Sequence, residues 1–194
     1  VECSGREAEY FDAAAFASVP TVYIGRDPRT LPKNSDCINA DPSGPGQIAA
    51  KVFLSAGLRH FAFYATSGDR FWSRDREASF RKALRLNGFP RCETFGRVSV
   101  PRSNTQKLTR WLKGLAKPCG LLAENDYAAA DVLAAARRAG IRVPEELSVI
   151  GTDDDRELCE NATPRLSSIF LDFEVAGYKA AERLDQRMSD HRSR

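Results

Sequence analysis

Histidine and paired cysteine are scarce in this 194-residue chain, and each shortage closes a class of chemistry. There are only two histidines. His60 opens a strand-like run, at the end opposite to where sites form, and His191 lies in the tail. A Ser-His-Asp or Cys-His arrangement therefore has no general base. The five cysteines (Cys3, Cys37, Cys92, Cys119, Cys159) are odd in number, far apart and never spaced C-x-x-C. That usage fits reduced thiols in a cytoplasmic protein, not a disulfide framework or a zinc site. No apolar run approaches the ~20 residues of a membrane helix, and the polar, mixed-charge opening VECSGREAEYFD is no secretory signal. G-x-x-x-x-G-K-[ST] and H-E-x-x-H are both missing, and Ser43-Gly44-Pro45-Gly46 is not a G-x-G-x-x-G fingerprint. Excess charge is missing too. Lys and Arg total 29 against 26 Asp and Glu, and a net +3 marks no nucleic-acid face.

What remains is an ordinary globular composition, 42% hydrophobic and 28% charged. The length suits one large domain or two small ones, with core enough to fold without metal or disulfide. Strand-like and helix-like runs alternate. Strands are expected at 21–25, 36–39, 60–65, 93–100, 119–123, 147–151 and 167–171. Helices are expected at 7–17, 47–56 with Pro45 in the first turn, 73–87 capped by Ser73, from Ser103 to about Leu115, 126–139 capped by Asp126, and 174–188. Asp153–Pro164 reads as an acidic loop with room for one helical turn. Such alternation is the pattern of a parallel α/β sheet.

Open parallel sheets bind ligands beyond the carboxyl ends of their strands, so the residues following each strand are the site candidates. They are Arg26 and Asp27; Arg70, Phe71, Trp72, Arg74 and Arg76; Glu124, Asn125 and Asp126; and Thr152 to Asp155. Carboxylates that accept, guanidiniums that donate in pairs, an amide and an aromatic face together suit a ligand rich in hydroxyls. Each has a plainer use: Asp126 as a helix cap, Asn125 as a turn stabiliser, Trp72 as a rim aromatic, some of the aspartates as solvated loop charge. Asp126, Asp153 and Asp154 could alternatively hold magnesium for a phosphorylated substrate, although no phosphate loop accompanies them.

Several runs, taken in order, resemble the effector-binding domain of LacI/GalR transcription regulators. They are Val19-Pro20-Thr21-Val22, Ile48–Gly57 with Arg59-His60-Phe61-Ala62-Phe63, Arg76 with Ser79-Phe80, and Leu122-Ala123-Glu124-Asn125-Asp126. Ala139-Gly140-Ile141-Arg142-Val143-Pro144, Leu147–Asp154, Pro164–Ile169 and Gly177 complete the set. Phe61–Tyr64, Arg70–Glu77 and Ser167-Ser168 look like the xylose operon regulators within that family, whose members add an AraC-type helix-turn-helix pair. Phe170 and Leu171 stand where many members carry polar residues.

The resemblance implies a periplasmic-binding-protein-like α/β fold of two lobes with parallel sheets and a sugar between them. Residues 66–168 would form the C-terminal lobe, and 1–65 with 169–194 an incomplete N-terminal lobe. It carries over Arg76 and Asp153 as sugar ligands, then Asn125, with Asp126 and Phe173 weaker and Trp72 stacking on the sugar ring. It calls for no catalytic residue, cofactor or metal. The implied partners are a sugar effector, a second copy in a homodimer, and operator DNA through a domain absent from this chain. The same fold also serves solute-binding proteins of sugar transporters.

Overall fold

The computed structural model describes residues 16, 18–41, 43–66, 70–96 and 105–192, with backbone only for 190–192. Seven strands alternate with helices: β1 Val22–Ile24, β2 Asp36–Ile38, α1 Gly44–Ser55, β3 His60–Tyr64, α2 Phe71–Leu86, β4 Glu93–Phe95, α3 Thr105–Gly114, β5 Cys119–Ala123, α4 Asp126–Ala139, β6 Leu147–Asp153, α5 Arg156–Asn161, β7 Ser167–Phe170 and α6 Phe173–Arg192. The expected alternation therefore stands, and α5 fills the place read as an acidic loop. The helix expected at 7–17, apart from Phe16, the end of the strand expected at 93–100 (97–100) and the cap expected at Ser103 fall outside the described residues.

Two compact units result, Val1–Asp41 with Asp172–Arg194, and Pro42–Leu171. In the smaller one, β1 and β2 pair in parallel. Arg183 of α6 donates from Nε to Asp36 Oδ1 at 2.8 Å, and Arg187 pairs with Oδ2 of the same carboxylate, which fastens α6 to β2.

The larger unit holds a five-stranded, all-parallel sheet in the order β4-β3-β5-β6-β7. Strand alternation sorts its core onto two faces. Phe61, Phe63, Leu122, Ile150 and Ile169 pack with α1 and α2, whereas Ala62, Tyr64, Leu121, Ala123 and Val149 pack with α3 and α4. Gly46 lets α1 lie directly against α2, because a Cβ there would run into Ser79 and the backbone of Phe80. Alanine does the same for α4, where Ala128, Ala129, Ala135 and Ala136 are fully buried.

The two units divide the chain at other points than the expected 65–66 and 168–169. α1 and β3 belong to the larger unit, which begins at Pro42, and the chain leaves it after Leu171 rather than at 168. The reason is pairing. β3 lies inside the sheet, in register with β5 from His60↔Cys119 to Tyr64↔Ala123 and with β4 on its other side. The strand order also fixes a switch point. From β3 the chain steps one way to β4 and the other way to β5, so a crevice opens beyond the carboxyl ends of β3 and β5.

Candidate functional site

Thr66, Glu124 and Asp153 end or follow β3, β5 and β6, and α2 brings Arg76 to them. α2 starts two residues earlier than expected: Arg70, in extended conformation, precedes Phe71, and Ser73 is a buried interior residue instead of the cap. The early start places Trp72 and Arg76 on one helical face, four residues apart. The Arg76 guanidinium lies 4.7 Å from the centre of the Trp72 ring, and that of Arg70 lies 5.5 Å from it. Arg76 itself is only 5% exposed. Its Nη1 donates to the Glu124 carbonyl and its Nη2 to Asp153 Oδ1 at 3.2 Å.

Asp153 sits at φ +111°, a region that a side chain with a Cβ rarely enters. Regular alternation would send it to the face opposite Thr152; the unusual backbone turns its carboxylate to Arg76. Burial pushes the Asp153 carboxyl up to about 6. Arg76 pulls it down and Asp126 adds to the rise. Burial also lowers Arg76 from its ordinary value, with Asp153 opposing. A guanidinium stays charged in proteins, so the pair loses or gains its proton at Asp153.

Asn125 and Asp126 exchange their expected parts. Asn125 is the cap of α4, accepting from the Ala128 N–H through Oδ1 at 2.8 Å. It was the residue that fitted the cap: its backbone is extended, as a cap's must be, while Asp126 is already helical. Asp126 is freed to order the next loop. Its Oδ2 accepts from the Asp155 N–H at 2.8 Å and lies 3.6 Å from Cys159 Sγ, and its Oδ1 accepts from Ser168 Oγ at 2.6 Å. Gly151 is required beneath it, since a Cβ there would strike this carboxylate. Burial raises the Asp126 carboxyl, against the pull of those donors.

The aspartates after β6 are thus committed separately, Asp153 to Arg76 and Asp155 to capping α5 through the Leu158 N–H. Among the described residues, no group of three His, Cys, Asp or Glu side chains is arranged to hold a metal ion. Phe173 opens α6 in the other unit and is 56% exposed.

Glu124, Thr152 and Ser168 carry more of this architecture than the sequence reading gave them. Glu124 Oε1 accepts from both the backbone N–H (2.8 Å) and hydroxyl (2.5 Å) of Thr66, joining the ends of β3 and β5. The available signal was parity: Glu124 follows Leu122 by two residues and Thr152 follows Ile150 by two, which places polar groups on a buried face.

A buried arginine held at the switch point of a parallel sheet now has context from known proteins. The profile of the periplasmic binding protein-like domain matches residues 50–194. The chain belongs to that family, as a LacI-type effector domain. The xylose operon regulatory protein of Haemophilus influenzae is 32% identical over 149 residues, 74% of this chain and 38% of that protein. The transcriptional regulator DegA of Bacillus subtilis is 32% identical over 158 residues, 80% of this chain and 45% of its own. The domain thus spans less than half the length of either regulator. Among solved structures, a LacI-family regulator of Enterococcus faecium with bound ribose superposes with a TM-score of 0.73 at 24% identity, over 87% of this chain and 62% of that one. A protein of Alkaliphilus metalliredigens complexed with D-xylulofuranose gives 0.74 at 20% identity, over 89% and 64%. These superpositions establish the LacI-type fold. No helix of the described residues is long and apolar enough to cross a membrane.

Proposed function

We propose that this domain binds a sugar, xylose or a related pentose, and that occupancy controls a bacterial transcription regulator. The observation that carries it is the Arg76–Asp153 pair, in which a buried guanidinium, held by Trp72 and the Glu124 carbonyl, meets a partly exposed carboxylate. A guanidinium and a carboxylate fixed side by side offer donors and acceptors to neighbouring hydroxyls. Buried polar groups of this kind discriminate strongly, because a missing hydroxyl leaves them unpaired.

Arg76 and Asp153 are the principal ligands. Asn125 adds an amide NH2, its oxygen being used by the cap. Trp72 supplies an aromatic face for the sugar ring. Asp126, whose acceptors are taken, acts by shaping the loop that carries Asp153. The names of the Haemophilus influenzae relative and the pentoses in the two fold neighbours support the choice of sugar. The regulator would work in the cytoplasm as a homodimer, reading operator DNA through a separate domain.

Calorimetric titration with D-xylose, L-arabinose and D-glucose tests this. Saturable heat with D-xylose is expected, even at millimolar affinity worth about −4 kcal/mol, and it is lost in both R76A and D153A. Unchanged affinity in the two variants would place the sugar elsewhere.

A further inference from the structure

Three side-chain atoms in the same quarter of the larger unit are buried and bonded to nothing: Glu124 Oε2, Thr152 Oγ1 and Arg76 Nε. Their residues are 1%, 0% and 5% exposed. Register and parity bring them together. Leu122 pairs with Ile150; two residues further on, Thr152 is still in β6 and Glu124 immediately follows β5. Leu122 and Ile150 face α1 and α2, so Thr152 faces the same way, toward the helix that carries Arg76, and Glu124 stands just past the end of β5. Arg76 touches both strands at that level, through the Glu124 carbonyl and Asp153.

Each orphan atom by itself would cost free energy to bury. Together they are complementary, because Glu124 Oε2 accepts, Arg76 Nε donates and the Thr152 hydroxyl does either. None of them bonds another. A group able both to donate and to accept, seated among them, would satisfy all three.

We propose that Glu124, Thr152 and Arg76 form a subsite for one hydroxyl group at the carboxyl ends of β5 and β6. The hydroxyl comes either from a buried water or from the sugar effector. The sugar source rests on the function proposed above; the water source does not. In both cases Glu124 is a positioning residue. One carboxylate oxygen clips Thr66 at the end of β3, and the other fixes the hydroxyl beside the arginine.

Two measurements decide it. The first is urea unfolding of the full chain as T152V and T152S, without sugar. If a hydroxyl bridges the site, T152V loses a bonded group and its unfolding midpoint falls, while T152S retains the wild-type midpoint more closely. If the Thr152 hydroxyl is idle, valine removes a buried unpaired group of the same shape. T152V then unfolds at the same or higher urea, which overturns the proposal. The second is a high-resolution crystal structure of the full chain alone and soaked in D-xylose. A peak within about 2.6–3.2 Å of all three atoms is expected. Water in both crystals makes it a structural subsite, and a sugar oxygen in the soaked crystal makes it part of effector recognition. No peak in either, or direct bonds closing the gap, sinks it. Should D-xylose give no heat and no density, the sugar reading fails alone, and the sugar-free crystal still decides the subsite.

Discussion

Trp72, Arg76 and Asp153 form a chain in which each group sets the next, and each can be disturbed separately. The indole covers the guanidinium at 4.7 Å, a geometry worth about 0.5–2 kcal/mol. Replacing Trp72 with leucine is therefore expected to weaken D-xylose binding by about 3- to 30-fold, and phenylalanine, which keeps an aromatic face, by less. Calorimetry on the two variants checks this. Equal losses would mean that bulk, not the ring face, is what matters at Trp72. Asp153 gives a pH signature. Its carboxyl titrates near 6, so it is ionised at pH 7 and about nine-tenths protonated at pH 5. A sugar that needs the carboxylate should bind about tenfold more weakly at pH 5. Stability moves the other way, because the folded chain holds this proton where the unfolded chain has released it. The contribution of Asp153 to stability is greatest below the ordinary carboxylate range and declines as pH rises to about 6. In D153N the affinity slope and this part of the stability slope should disappear, affinity being low and flat. A persisting tenfold change in D153N would assign the pH dependence to another group.

Asn125 and Asp126 are neighbours with opposite duties, and the start of α4 separates them. N125A removes one cap bond and should cost about 1 kcal/mol, read from urea unfolding without sugar. D126N should cost more, about 1–3 kcal/mol, because an amide offers one acceptor where the carboxylate serves Asp155, Ser168 and Cys159 through two oxygens. If N125A proved the costlier variant, Asp126 would not be the residue that orders the loop. This pair also shows what a linear reading can reach. Strand and helix periods located β3, β5, β6 and α4 to within a residue or two, because hydrophobic alternation is a local property. The cap could not be assigned that way, since Asn-Asp offers two adjacent residues of equal cap preference and only backbone conformation distinguishes them. Ser73 misled for a related reason: it looks like a cap, but α2 starts earlier with Trp72 and Arg76 on one face. Of the candidate site, Arg76 and Asp153 were legible from motif and strand ends. Glu124 and Thr152 stood among the residues after strands, but their part was not legible, because it lies in which buried face they occupy and in what they fail to bond.

At the scale of the whole molecule, the position of β3 decides which stretch of chain is a folding unit. The family resemblance implied a boundary after β3; β3 pairs with both β4 and β5, and the larger unit begins in front of α1. The consequence is energetic. Residues 42–171 contain every strand of the five-stranded sheet and both of its hydrophobic clusters in one continuous segment. A piece spanning 66–168 lacks β3 and α1, and with them Phe53, Phe61 and Phe63, each at most 3% exposed. Losing three such rings forfeits roughly 1.5–3 kcal/mol apiece, a large part of a typical domain's stability of about 5–15 kcal/mol. It also splits the sheet, taking from β4 the strand it pairs with among the described residues and leaving one edge of β5 unpaired. Expressed as separate polypeptides, 42–171 should show a single cooperative urea transition, and 66–168 should show none and aggregate. Cooperative unfolding of 66–168 would mean that β3 is a peripheral strand and that the unit's core lies around β5, β6 and α4. Its failure beside a folded 42–171 would assign α1 and β3 to the same cooperative unit as the Arg76–Asp153 site.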